Sequence, residues 1–219
     1  NRARAADSDE GKKSMRRQSS LLFGAAATAA IAIASSGGHS AAAADATVKP
    51  PVTANGGNRC AALKGTAVSG GTVIAAEHYN AGEQIVGGAT GGAKVETPIC
   101  RTRIELRPEA GSEIQIEVWL PARWNNKMMG LGGGGFDGSL SLAGAGSLNK
   151  AAAQGYAVVA NDAGHTPAPS VGTWAHGAPQ KIVDFGHRAG HLAAVTGRQI
   201  IGAYYGSRVQ RAYFTGCSN

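Results

Sequence analysis

The sequence predicts an α/β fold on three observations. Residues 99–106 and 113–120 alternate apolar with polar side chains, residues 128–131 and 157–160 are uninterrupted apolar runs, and a helix-patterned stretch over 186–205 leads into a last β-prone run at 212–215. Alternation with period two marks strands, and short continuous apolar runs suit strands covered on both faces of a partly parallel sheet. Strands interleaved with a helix give the α/β order.

Each element has its own local reason. Residues 45–58, with Pro50-Pro51 and Gly56-Gly57, read as a leader to the folded part. Over 60–98, apolar patches are broken by Gly70-Gly71, Gly87-Gly88 and Gly91-Gly92, which favours turns and irregular strands over helices. In 113–120, Ile114, Ile116 and Val118 share one face, and the break at Pro108-Glu109-Ala110-Gly111 predicts an antiparallel hairpin at the start of the sheet. The small, alanine-rich stretch 140–154 is expected to be helical around 149–154. Asp184 is expected to cap a helix over 186–205, with Leu192, Val195, Ile200 and Tyr204 at helical spacing and Gly206 at its end. Gly190, Gly197 and Gly202 leave the length of that helix open. Ala212-Tyr213-Phe214-Thr215 predicts a short buried strand.

The amino-terminal region reads as an export signal. Met15-Arg16-Arg17 is basic, 21–34 is a 14-residue apolar run and 40–44 is small throughout, so 15–44 is expected to be a signal peptide and 1–14 to precede the translated start. The apolar run is too short to span a bilayer comfortably, so no membrane association is expected once the signal is removed. The arginine pair raises twin-arginine export, although Gln18-Ser19-Ser20 continues that pattern poorly. A secreted or periplasmic location follows. Beyond position 44 there are 15 Lys and Arg against 11 Asp and Glu, a net +4 compared with +7 for the whole chain. With no basic stripe carrying interleaved aromatics, nucleic acid is not an expected partner.

The chemistry concentrates where the last strand ends. Gly216-Cys217-Ser218-Asn219 follows it directly, and Gly216 is expected to permit the tight bend that presents a serine hydroxyl, as G-x-S-x-G does in α/β-hydrolases. Upstream, Met128-Met129-Gly130-Leu131 empties into Gly132-Gly133-Gly134-Gly135-Phe136-Asp137-Gly138, a loop whose N–H groups can be aimed at a developing oxyanion. Gly130, Gly132 and Gly135 also satisfy G-x-G-x-x-G, but a dinucleotide site needs an acidic residue about 20 positions on, and that neighbourhood is Ala153-Gln154-Gly155. His187 and His191 are spaced i, i+4, yet Arg188 stands where H-E-x-x-H has its glutamate, so surface or core histidines are the simpler reading and no metal ligand is assigned.

The glycine run, Gly155-Tyr156-Ala157-Val158-Val159-Ala160-Asn161-Asp162-Ala163-Gly164-His165, Asp184-Phe185-Gly186-His187-Arg188-Ala189 and the terminal Gly-Cys-Ser-Asn, in this order, resemble the tannase and feruloyl esterase family over roughly 100–219. The resemblance implies an α/β-hydrolase-type sheet, incomplete here, with 45–219 as the amino-terminal part of the domain. It implies a secreted serine esterase acting on small esters of aromatic acids such as gallate or ferulate. Ser218 matches the nucleophile and Cys217 the cysteine beside it. The catalytic acid and base, the partner of Cys217, a calcium-binding lid and the carboxyl-terminal half are expected beyond Asn219, so no cofactor is assigned within 1–219 and this length alone is expected to be inactive. The amides of Asn219 and of Gly134 or Gly135 are expected to form the oxyanion hole. Cys60 is expected to pair with Cys100. Because the acid and base follow the serine in the α/β-hydrolase order, Asp162 and His165 are expected to organise the loop above the sheet, and Asp137 and Asp184 are not assigned to the triad. A peptidase or acyltransferase on the same elbow, and a non-catalytic secreted binding protein on the same scaffold, remain alternatives.

Overall fold

A computed structural model describes residues 56–136, 138, 140, 144–166 and 170–216. The expected signal peptide, Asp137, Cys217, Ser218 and Asn219 lie outside the described residues.

The sheet has seven strands in the order β1 (Ala67–Val68), β2 (Gly71–Tyr79), β3 (Ile99–Leu106), β4 (Ile114–Pro121), β6 (Ala157–Asn161), β5 (Lys127–Leu131) and β7 (Arg211–Thr215). The pairs from β1 through β4 to β6 are antiparallel, and β5 pairs parallel with both β6 and β7. The predicted 99–106 and 113–120 hairpin forms in register, Ile104 opposite Ile116 and Thr102 opposite Val118. It does not begin the sheet, because β2 and β1 lie outside it.

Helices cover both faces, as strands buried on two sides require. On one face, α1 (Gly56–Ala61) and α4 (Ala189–Tyr205) pack with Val73, Ile104, Ile116, Val118 and Val159; on the other, α2 (Ala145–Ala153) packs with Trp119, Val158 and Ala160. The disulfide Cys60–Cys100, expected from the sequence, joins α1 to β3. Trp124 stacks on Tyr205 at 4.3 Å, and the Tyr205 hydroxyl donates to the Pro121 carbonyl at 2.6 Å, which anchors the end of α4.

The polar face of β4 is not a solvated one. Glu117 is buried and accepts bonds from Thr90 Oγ1 (2.9 Å), Trp119 Nε1 (3.0 Å) and Arg101 Nε (3.1 Å) beneath the segment between β2 and β3. Burial opposes the charge of Arg101, but Glu117 and Glu77 outweigh it and hold the guanidinium pKa above its ordinary value.

Three local expectations are corrected. Asp184 is not an N-cap: α3 (Pro179–Val183), opened by Pro at its first turn, runs through a π-helical turn (Asp184–Arg188) into α4, and Asp184 has right-handed helical φ/ψ inside that run. The helix over 145–153 starts earlier than the 149–154 centre that its alanines suggested. β7 is exposed at every residue, Phe214 at 73%, because only β5 pairs with it and it forms an edge of the described sheet.

The helix runs over Ala189–Tyr205 with Gly190, Gly197 and Gly202 inside it, and Gly197 has a packing reason. A Cβ there would lie 2.6 Å from Val159 Cγ2 and 3.5 Å from Met128 Sδ, so the missing side chain is what lets the helix sit against the sheet. Gly206 ends α4 in the left-handed conformation (φ 62°), as expected.

Candidate active site

β5, β6 and β7 run parallel, so their carboxyl ends at Leu131, Asn161 and Thr215 lie on one edge of the sheet. The chain order doubles back there: β5 leads through α2 to β6, and β6 leads through α4 to β7 on the opposite side of β5. In open α/β sheets this reversal opens a crevice at the carboxyl ends.

The glycine run leaves β5 directly into this region. Gly132 N–H donates to the Thr215 carbonyl at 2.9 Å, and a Cβ on Gly216 would lie 3.5 Å from Gly132 Cα. The structure therefore brings the start of the predicted oxyanion loop and the residue before Cys217-Ser218 together. Gly134 is half-buried and Gly135 is exposed with φ 63°. The small size of Gly216 matters through its approach to Gly132 and to Phe214 Cε1, 3.3 Å from the Cβ position. Ser218 and Asn219 are outside the described residues, so the geometry of the site stops at Gly216.

After β6 the chain turns sharply through Ala163 (φ 55°) and Gly164 (φ 78°), with Asn161 Oδ1 accepting from Ala163 N–H at 2.9 Å. A Cβ at Gly164 would lie 2.5 Å from Asp184 Cβ, so only glycine fits. Asp162 Oδ1 accepts from Gln115 N–H (3.0 Å) and Gly164 N–H (2.9 Å). Loss of solvent pushes its carboxyl up to about 7 against the opposing pull of those two bonds, with the negative charge of Glu113 adding to the rise. Asp184 is fully buried, accepting from Ser112 Oγ at 2.7 Å and from Arg188 Nη1 at 3.0 Å, so it ties the β3–β4 turn to the π-helical turn.

His165 is buried, whereas His176, His187 and His191 are exposed. Its ring stacks on Trp174 at 3.8 Å and meets Phe185 edge-on at 5.6 Å, and Phe136 packs against both aromatics. A cavity of about 340 Å³ beside it is lined by Asp162, His165, Thr166, Ser112, Arg107 and Lys181. Sequence reasoning assigned Asp162 and His165 to loop organisation but missed Phe136, Trp174, Phe185 and Ser112. Phe136 and Phe185 stand inside motifs that carry the resemblance but were given no role there, and Trp174 and Ser112 carried no signal in the sequence.

The family described as tannase and feruloyl esterase matches residues 100–219. A probable feruloyl esterase B-2 of Aspergillus flavus is 32% identical over 124 residues, 57% of this chain and 23% of the relative. An uncharacterized esterase of Xanthomonas campestris is 36% identical over 121 residues, 55% of this chain and 20% of the relative. The chain thus spans about a fifth to a quarter of the length of these curated relatives. Among solved structures, feruloyl esterase B from Aspergillus oryzae superposes with TM-score 0.67 at 23% identity, covering 74% of this chain and 32% of that one. Tannin acyl hydrolase from Aspergillus niger superposes with TM-score 0.52 at 19% identity, covering 73% and 31%. At these identities the structural likeness establishes the fold, an α/β-hydrolase-type sheet that is present in part. With more than half of its residues matched, the chain belongs to the tannase and feruloyl esterase family.

Proposed function

We propose that this chain is the amino-terminal part of a secreted serine esterase, and that it supplies the nucleophile and the oxyanion loop for hydrolysis of small aromatic acid esters such as gallates or ferulates. The observation that supports this most directly is the Gly132 to Thr215 hydrogen bond, which sets the glycine loop against the strand end that leads to Ser218. The feruloyl esterase names of the relatives and solved structures point to the substrate class.

In the proposed reaction Ser218 Oγ attacks the ester carbonyl while a histidine from the rest of the protein takes its proton, oriented by an acid. The tetrahedral oxyanion is held by the N–H of Asn219 and of Gly134 or Gly135, each worth roughly 3 kcal/mol in good geometry. The C–O bond to the alcohol then breaks, the histidine returns the proton to the leaving oxygen, and water releases the acid by the same steps. The helix expected after the elbow would add its positive dipole end. Calcium is proposed for the lid only; among the described residues no grouping of three or more His, Cys, Asp or Glu could hold an ion, and no step runs through it. No helix of the described residues is long and apolar enough to cross a membrane.

The test is labelling of the full-length protein with a fluorophosphonate, followed by peptide mapping, alongside turnover of methyl ferulate and methyl gallate. Modification confined to Ser218 together with turnover supports the reading. Labelling elsewhere, or no turnover of any aromatic ester, rejects it. Residues 45–219 alone are expected to show no hydrolysis.

A further inference from the structure

We infer that His165 is a positioning residue for the glycine loop: its Nε2–H donates to the Phe136 carbonyl and fixes the far end of Gly132 to Gly135. The inference rests on the esterase reading for its catalytic consequence. Nε2 lies 3.2 Å from the Phe136 oxygen and Nδ1 lies 3.4 Å from the Ala163 oxygen. Both neighbours are acceptors, so the shorter contact is satisfied only if Nε2 carries the proton.

The loop has no side chains before Phe136 with which to hold itself. It is tied at its start by Gly132 N–H to the Thr215 carbonyl and at its end by the Phe136 carbonyl to His165. The peptides of Gly133 to Gly135 are suspended between these two points, and they hold the amides assigned to the oxyanion.

His165 is itself held firmly enough to act as the post. The Ala163-Gly164 turn aims it, Trp174 covers one ring face, Phe185 meets its edge, and 3% of the residue is exposed. Gly138 presses on the ring so closely that a Cβ there would lie 2.6 Å from Cδ2 and Nε2. A residue retained for packing alone would not need an imidazole, since a buried ring nitrogen costs stability unless it is hydrogen-bonded.

Two substitutions in the full-length protein separate the alternatives. His165→Phe keeps a ring for Trp174 but loses the donor; His165→Gln loses the ring but places an N–H near the Nε2 position. With methyl ferulate, His165→Phe should lower kcat by about 10- to 100-fold with KM within about twofold, the scale of a misplaced catalytic group. His165→Gln should recover kcat to within about fivefold of wild type. If His165→Phe keeps wild-type kcat, or His165→Gln is the more damaged of the two, the role is packing and the inference falls. Gly138→Ala, which pushes on the ring from the loop side, should lower kcat in the same way should His165→Phe not fold, and an unchanged kcat there also overturns it. If the wild-type protein turns over no ester, the esterase reading has failed by itself. Amide hydrogen exchange of residues 133–135 then decides the inference: at least tenfold faster exchange in His165→Phe supports the tether, and unchanged exchange removes it.

Discussion

Gly132 gives its backbone N–H to the carbonyl of Thr215 across 2.9 Å, one residue beyond the last β5–β7 pair at Leu131 and Thr215. The bond extends parallel pairing into the loop, so the glycine run starts in a fixed direction beside the strand that leads to the proposed nucleophile. Gly132→Pro removes this donor and should cost about 1–3 kcal/mol, with kcat at least tenfold lower in the full-length protein. Gly132→Ala keeps the donor. Its Cβ would meet the Phe214 ring end, 2.6 Å from Cζ, but that ring is 73% exposed and can turn aside, so a cost below about 1 kcal/mol is expected. Thermal unfolding and methyl ferulate turnover of both variants check the contrast.

Asp162 should make stability fall as pH rises through mild acidity. Its carboxyl titrates at about 7 in the fold compared with 3.8 for the ordinary group, so between those values the folded state binds the extra proton and unfolding releases it. Stability therefore declines from about pH 4 to pH 7 and is flat above, the total being at most roughly 4 kcal/mol. Asp162→Asn keeps an oxygen for the Gln115 and Gly164 N–H groups and cannot ionise. It should remove most of that slope and be the more stable form at pH 8, as read by urea unfolding across pH 4 to 8.

Much of this architecture was legible because it is local. The apolar runs at 128–131 and 157–160 read as strands buried on both faces; both became strands, β6 buried over 157–160 and β5 half-buried at Met129 and Gly130. β2 was not legible: Gly-Thr-Val-Ile-Ala-Ala-Glu-His-Tyr lacks strict alternation, and its nine-residue length comes from pairing with β3. Asp184 looked like a cap because a short acid before a helical pattern is one; its real partners include Ser112, 72 residues away. The exposed state of β7 likewise depends on what pairs with it, which the four residues 212–215 do not encode. At the site, the glycine loop was readable from composition alone. The cluster that clamps it joins Phe136, His165, Trp174 and Phe185 from separate segments, and no window of sequence contains that contact.

Removing the Cys60–Cys100 bridge should weaken the fold substantially. It closes a sequence separation of 40 residues between α1 and β3, for which chain entropy gives about 4 kcal/mol. The double variant Cys60→Ala, Cys100→Ala should show that loss in denaturant unfolding, whereas mutation of a surface residue such as Lys64 should not.

Two glycines of α4 should respond in opposite directions. At Gly190 nothing lies within 4 Å of where an added methyl would sit, so Gly190→Ala should stabilise by up to about 1 kcal/mol through helix propensity. At Gly197 the same methyl would press on Val159, and Gly197→Ala should cost about 1–3 kcal/mol. Melting temperatures of the two variants, compared side by side, give the sign directly.

Everything proposed for catalysis depends on Ser218 cleaving the ester opposite the glycine loop. That role is decided by kcat of full-length Ser218→Ala on methyl ferulate and methyl gallate, with matched melting temperatures to show that the fold is intact. Activity should drop below one hundredth of wild type on both esters. Activity above that level in a folded variant would mean that another residue is the nucleophile.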